Sequence, residues 1–546
     1  MSVSSAAPQK TQSILRLVYA CYCVSGGLGL AYQILWLRKL LLVFGSTVHA
    51  VSTVLTVFFG GLALGSWLFG RFIDRREGSG LRWYAALEAG VGLYAFLTLP
   101  LFDAIQRLYI PVYRASGFSP TALVAAAFVC SALILLVPTV LLGGTFPVLS
   151  RFLIRSSQSR GAQIASLYGI NTAGAMLGTL GVYFLGLPIL GLQRTLLCAG
   201  VLNLGVGGLC FVFDRRLQRL EYGVSPAPQT ERAEAPRETS SEAGTLRWLS
   251  FAFALSGFSA MVYEVAWTRA LSLVLGSSIY AFCIMLTTFL GGIALGSFVI
   301  RRDLRTVAST VGSFVRLEWM LGIYGLCAIV LFSELPDWFV RLWPLTGGSF
   351  AGLTGLQVAL SAAVMLIPTV IMGMLFPIVS DLVTVRLARL GRRLGGVYAV
   401  NTLGGILGSF LAGFVLIPRW GLPWAMAAAA MVNLAAGWVI YLRTAPPGAL
   451  LSRTAIVAIG AAGALAVSGI AIVPAWKQQV FAAGVYLNPR AFQQGTVRQA
   501  VAGTKLLYYR DSLNATVSVH QDGQTLFLKV GGKTDASNGE IGRAHV

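Results

Sequence analysis

The chain has 546 residues, 56% hydrophobic and only 11% charged, with a mean hydropathy of +0.75 and a formal net charge of +21. Soluble domains carry about 25% charged residues, so this composition excludes an ordinary soluble protein and implies an all-α polytopic membrane protein. The basic excess does not indicate a nucleic-acid partner, because Lys and Arg sit in short loops between apolar runs, as membrane orientation requires.

A bilayer core takes about 20 apolar residues per helix. Such runs predict helices near 13–36, 47–70, 83–105, 119–147, 163–187 and 193–213, then 247–268, 278–300, 314–333, 353–380, 395–417 and 422–442, with an extra one near 454–473. The first run has a basic flank but no small-residue cleavage site, so it reads as a retained helix rather than a signal peptide. Between the sixth and seventh runs lies DRRLQRLEYGVSPAPQTERAEAPRETSSEAGTLR, whose Pro, Ser and charge content predicts a polar linker. Arg71, Arg75, Arg76 and Arg82 follow the second run, and Arg151, Arg155 and Arg160 the fourth. Arg301, Arg302 and Arg305 follow the eighth, and Arg386, Arg389, Arg392 and Arg393 the tenth. These place the N-terminus and linker in the cytoplasm, with a bacterial inner membrane as the expected location. The seven cysteines lie in or beside apolar runs without metal-type spacing, so neither a disulfide framework nor a metal site is expected.

The two sets of six runs repeat one another. SGGLGLAYQILWLR (25–38) returns as SGFSAMVYEVAWTR (256–269), and FGGLALGS (59–66) as LGGIALGS (290–297), both 231 residues later. Glu88 pairs with Glu318, VPTVLLGGTFPVLSR with IPTVIMGMLFPIVSD, and Asn171 with Asn401. Pro188 and Gly191 correspond to Pro418 and Gly421. Copies in the same direction, each of six helices, predict parallel halves about an axis along the membrane normal, the architecture of major facilitator transporters. GRFIDRREGSGLR after the second run is similar to the Gly-x-x-x-Asp-Arg loop of that superfamily. The expected domains are a first repeat over 1–213, a cytoplasmic linker over 214–246, a second repeat over 247–442, an extra helix within 443–475, and a soluble segment over 476–539.

Ionisable groups cost roughly 2.5–3.5 kcal/mol each at a helix centre on insertion scales. Glu88, Glu318 and Glu264 are therefore candidates for a cation or proton site between the halves, one that suits a polyamine. The structural alternative is that they snorkel or pair within the bundle, and Gln33 stands in the first half where Glu264 stands in the second. Arg38 and Arg269 each follow a Trp by two residues, as interfacial anchors do. Asn171 and Asn401 either bond across helices or line a cavity. The glycines of GGLALGS and GGILGSFLAGF suit close helix packing.

After the last helix, LLYYRDSLNATVSVHQDGQTLFLKVGG alternates as strands do. Strands are predicted near 505–509, 514–520 and 524–530, with a hairpin turn at Asp522-Gly523. Thr516, Ser518 and His520 are expected on one face, Val517 and Val519 on the other. YYRDSLNATVSVHQDGQTLFLKVGGKTDASNG resembles the N-terminal β-hairpin segment of the spermidine synthase (polyamine aminopropyltransferase) family. GFSAMVYEVAWTR, GSSIYAFCIMLTTFLGGIALGS and YAVNTLGGILGSFLAGFVLIPRWG are similar to the membrane half of proteins that fuse a major-facilitator-like region to such a synthase.

The resemblance implies transfer of an aminopropyl group from decarboxylated S-adenosylmethionine, as co-substrate, to an amine such as putrescine. It implies a Gly-rich nucleoside loop and a catalytic aspartate region, which the sequence does not contain, so no catalytic or cofactor-binding residue carries over. It departs from the family at Val517, where soluble members carry Gln. EIGRAHV at 540–546 reads like translated sequencing adapter, so native sequence is expected to end near Gly539, with an inactive fragment of a membrane-bound synthase. The alternative is a transporter of polyamines or another cation. Thirteen crossings from a cytoplasmic N-terminus set the strands outside, against the cytosolic supply of decarboxylated S-adenosylmethionine.

Overall fold

The computed structural model describes residues 6–45, 48–76, 78–115, 117, 119–154, 159–220, 240–305, 309–384, 387–444, 463 and 476–539. All but residue 463 of the predicted extra helix at 454–473, most of the linker and the last seven residues lie outside the described residues.

Six long helices form the first half: α1 (Ala6–Phe44), α2 (Val48–Arg75), α3 (Gly80–Ala115), α4 (Pro120–Leu153), α5 (Arg160–Leu180) and α6 (Gly191–Arg219). The second half holds α7 (Ser240–Leu275), α8 (Ile279–Asp303), α9 (Val311–Leu342), α10 (Phe350–Val383), α11 (Leu390–Leu411) and α12 (Leu422–Thr444). Among the described residues, eleven stretches are long and apolar enough to cross a membrane, and one of them, Arg160–Arg219, has 60 residues. At 1.5 Å per residue that stretch would measure about 90 Å, three bilayer cores. It folds back at Gly191, whose φ of 73° only glycine adopts readily, and so makes two passes. Gly421 (φ 84°) turns the chain between α11 and α12 in the same way. In each case π-helical turns and a proline precede the turn, Pro188 within Gly181–Leu190 and Pro418 just after Ala412–Leu416.

Most helices outrun their apolar cores. α1 extends to 6 and 44 where 13–36 was predicted, α2 reaches Arg75, and α6 takes in 214–219, which the sequence assigned to the linker. Flanking Arg and Lys reach the interface on long stems, so helical backbone continues past the hydrocarbon. At the end of α6, Asp214 accepts from Arg82 Nε of α3 at 3.3 Å.

Contacts recur between the halves at the sequence offset. A Cβ on Gly61 of α2 would collide with Thr139 of α4, and one on Gly292 of α8 with Thr369 of α10. Gly65 abuts the Val140 carbonyl, and Gly296 the Val370 carbonyl. Gly26 and Gly257 press on Asn171 and Asn401, while Gly174 and Gly404 press on Cys23 and Ala254. Lipid supplies no hydrophobic force between helices, so close backbone contact through small residues carries their association.

The soluble segment forms a meander of four antiparallel strands, β1 (Lys505–Asp511), β2 (Thr516–Asp522), β3 (Thr525–Val530) and β4 (Lys533–Ser537). The fourth strand was not predicted. It pairs with β3 through the Gly531-Gly532 turn, both glycines at positive φ. Thr516, Ser518 and His520 do share a face, and it is the buried one, at 7%, 1% and 2% exposure. His520 Nε2 lies 3.0 Å from Ser518 Oγ, and its ring stacks on Phe527. Two short helices precede the strands, α13 (Gln478–Phe481) and α14 (Val497–Val501).

This lobe docks on the second half, at the face opposite the start of α1. Arg269 Nη2 of α7 donates to the carbonyls of Ser512 (2.6 Å) and Leu513 (3.2 Å). Asp511 Oδ2 accepts from the Leu422 amide opening α12. Asp337 of α9 accepts from the Val497 amide at 2.7 Å, and Lys477 pairs with Glu334 at 3.7 Å. α12 runs back to the face where α1 begins.

Two predictions follow from these contacts. Gly65→Val should cost about 1–3 kcal/mol by overpacking and lower the thermal midpoint in detergent, while Leu64→Ala, on a side chain 41% exposed, leaves it unchanged; equal midpoints would contradict the packing. Burial, reinforced by the Lys529 ammonium, pushes the His520 imidazole down from 6.5 to about 4. A lowered folded-state value means the lobe gains stability from neutral His520 above about pH 6.5 and loses it as pH falls toward about 4. Amide exchange in β2 and β3 should rise across that window, and His520→Gln should flatten the rise.

Candidate functional site

The two halves face one another around a cavity of about 330 Å³ near the middle of the helices. Tyr22, Ser25 and Gln33 of α1 and Ser256 and Met261 of α7 form opposite walls. Asn171 of α5 and Asn401 of α11 line it, fixed by the α1–α5 and α7–α11 crossings at Gly26 and Gly257. Toward the face where α1 starts, four rings cross the gap between the halves. Tyr168 stacks on Phe376 at 4.4 Å, and Phe146 packs on Phe376 at 5.4 Å and on Tyr398 at 6.2 Å. Every lining residue is uncharged.

Below the rings the halves are latched. Asp74, near the end of α2, accepts from the Gly391 and Arg392 amides at 3.0 and 2.7 Å. These are unpaired donors at the start of α11, where the helix dipole also favours an anion. Arg151 Nε of α4 stands 3.6 Å from the same carboxylate. On the other side Arg160 of α5 donates to Asp381 Oδ1 at 3.0 Å and to its carbonyl at 3.2 Å. Sequence reading placed Asp74 in a loop, whereas α2 runs on through it.

The three candidate glutamates do not line the cavity, contrary to the expected site between the halves. Glu88 is wholly buried inside the first half, where Ser25 Oγ donates to Oε1 at 2.5 Å. Asn203 Nδ2 of α6 donates to Oε2 at 2.7 Å and to the Glu88 carbonyl at 2.8 Å. Glu318 is equally buried inside the second half. Glu264 is half-buried one turn beyond the lining residue Met261, although its counterpart Gln33 lines the cavity. Burial inside a half follows from position: α3 and α9 flank the cavity-lining helices and turn their polar side chains toward α1 and α7. The sequence reading passed over Asn203 and Asn433, which stand 230 residues apart like the glutamates they accompany, and over Ser25 and Ser256, which open the quoted repeat.

No protein-family model matches the chain. It is similar to a polyamine aminopropyltransferase of Corynebacterium efficiens, 29% identical over 269 residues, 48% of this chain and 49% of that protein. The chain therefore spans about half the length of the curated relative it matches. Among solved structures, a bacterial homologue of the iron transporter ferroportin in the outward-facing state matches with a TM-score of 0.53 at 16% identity, over 79% of this chain and 100% of that one. The same homologue with soaked iron matches at 0.51 and 14%, over 79% and 98%. At such identities the likeness shows the fold alone. The membrane region has a major-facilitator-like fold, and the protein is a multi-pass integral membrane protein in contact with a lipid bilayer.

The latch yields a prediction. Asp74→Ala removes the acceptor for two amides, so spin labels at Arg75 and Arg389 should show a longer and broader distance distribution than in the parent. An unchanged distribution would mean that Asp74 does not hold the halves together.

Proposed function

We propose that this chain is the membrane portion of a membrane-bound, spermidine synthase-like protein, and that its bundle binds a small cationic amine in the central cavity. The observation that carries the reading is the lining itself: aromatic faces and amide or hydroxyl oxygens, with no cationic side chain to repel an ammonium group. Tyr168, Tyr398 and Phe376 offer cation–π surfaces, and Asn171, Asn401 and Gln33 offer oxygens to ammonium donors. The volume fits the ordinary range of small-molecule sites, about 300–1,000 Å³, and the midplane position is where transporters of this architecture hold solutes.

The similarity to an aminopropyltransferase supplies the chemical class of the amine. For the whole protein it supports transfer of an aminopropyl group from decarboxylated S-adenosylmethionine to putrescine, with the strand lobe as the entry to the synthase fold. In that reading 1–213 and 247–442 are duplicated repeats joined by a cytoplasmic linker over 214–246. The transporter reading uses the same cavity, and the latch favours it because a salt-bridged closure on one face is what a gated pathway needs. Asn171 and Asn401 are retained as amine ligands. Glu88, Glu318 and Glu264 stand behind the wall.

The test is saturable binding of labelled putrescine to the purified full chain. Asn401→Ala and Tyr398→Ala should each weaken it about tenfold, equivalent to about 1.4 kcal/mol. Absence of saturable binding, or indifference to both substitutions, would end the amine reading.

A further inference from the structure

The buried acids of the two halves hold corresponding positions, yet their surroundings differ. Around Glu88 stand Tyr84, Cys21 and Cys210, all buried, and the carboxylate accepts from Ser25 and Asn203. At the corresponding positions of the second half stand Phe314, Ala252 and Ile440, also buried. Both carboxyl oxygens of Glu318 lack a hydrogen-bond partner, as do both polar atoms of Asn433, and both residues have 0% exposure. The helix register brings these two together: Gly322 of α9 packs on Ala430 and Leu434 of α12, as Gly92 of α3 packs on Gly200 and Leu204 of α6. Ser256 stands beside Glu318 and lines the cavity on its other side.

An ionised carboxylate buried without donors carries a desolvation penalty of several kcal/mol, whereas its protonated form does not. Around Glu88 two side-chain donors, Ser25 and Asn203, each meet one carboxylate oxygen. Around Glu318 the neighbouring titratable group is Tyr263 of α7. From α12 comes the uncharged Asn433, while the charged residue of that helix, Arg443, stacks on Trp248 at its far end.

We infer that Glu318 is a proton-exchanging carboxyl that communicates with the cavity through Ser256, and that Glu88 is its hydrogen-bonded structural counterpart. The proton leaves the Glu318 carboxyl for Ser256 Oγ as the Ser256 hydroxyl passes its own proton to a water molecule in the cavity, which becomes hydronium, leaving a carboxylate toward which the Asn433 amide can turn. The assignment holds whatever solute occupies the cavity.

The test uses the purified full-length chain without added amine and the apolar reagent dicyclohexylcarbodiimide, which attacks protonated carboxyl groups. Peptide mass spectrometry should find Glu318 labelled at least about tenfold more than Glu88, since the donors around Glu88 hold a charge-assisted network worth more than about 1.4 kcal/mol. Labelling at Glu318 should fall as pH rises, and Glu318→Gln should abolish it. Equal labelling of the two glutamates, no labelling of Glu318, or labelling indifferent to pH would each overturn the assignment. Because no amine is present, these outcomes are independent of the putrescine-binding result.

Discussion

Backbone-to-backbone contact between helices is the constraint on which this structure rests. In a bilayer the tails are as apolar as leucine, so burying leucine against leucine gives helices little reason to associate. What remains is close approach, and glycines provide it where α2 meets α4, α1 meets α5, and the matching pairs meet in the second half. The same crossings set Asn171 and Asn401 at the cavity and fix the distance between its walls. The cavity and the tight packing thus have one origin: small residues on the lining helices draw the backbones in, and the aromatic rings beyond them pack across the two halves.

The division of labour among charged groups follows from that scaffold. Asp74, Arg151, Arg160 and Asp381 stand at helix ends, where water and amide donors stabilise them, and they join the halves. The cavity is left uncharged. Acids that lie at mid-membrane are withdrawn behind a serine, one satisfied by its neighbours and the other bare.

Much of this was legible in the sequence. Composition gave the membrane, and the run lengths gave the twelve long helices among the described residues; the turns at Gly191 and Gly421 were not predicted, because those glycines were read only as landmarks of the repeat. Alternation gave three of the four strands. Helix ends were misjudged because charged residues read as loop, although their long stems let the helix continue. β4 was missed because Lys533–Ser537 carries polar residues on both faces and joins only as an edge strand. The site was half legible. Asn171 and Asn401 do line the cavity. Periodicity cannot say which face of α3 or α9 meets the cavity, so the glutamates were set one layer too far inward. Their carboxamide partners went unnoticed because an isolated Asn in an apolar helix has no spacing signature of its own; only comparison of the halves reveals it.

The opening motif of each half ends in an arginine, and the two have parted company. Arg38 lies over the ring of Tyr183 within its own half. Arg269 instead grips two carbonyls of the strand lobe, and the other contacts described for that lobe, from Glu334, Asp337 and Leu422, come from the second half too. The lobe is thus fastened to the second half, so a displacement of that half relative to the first would carry the lobe with it.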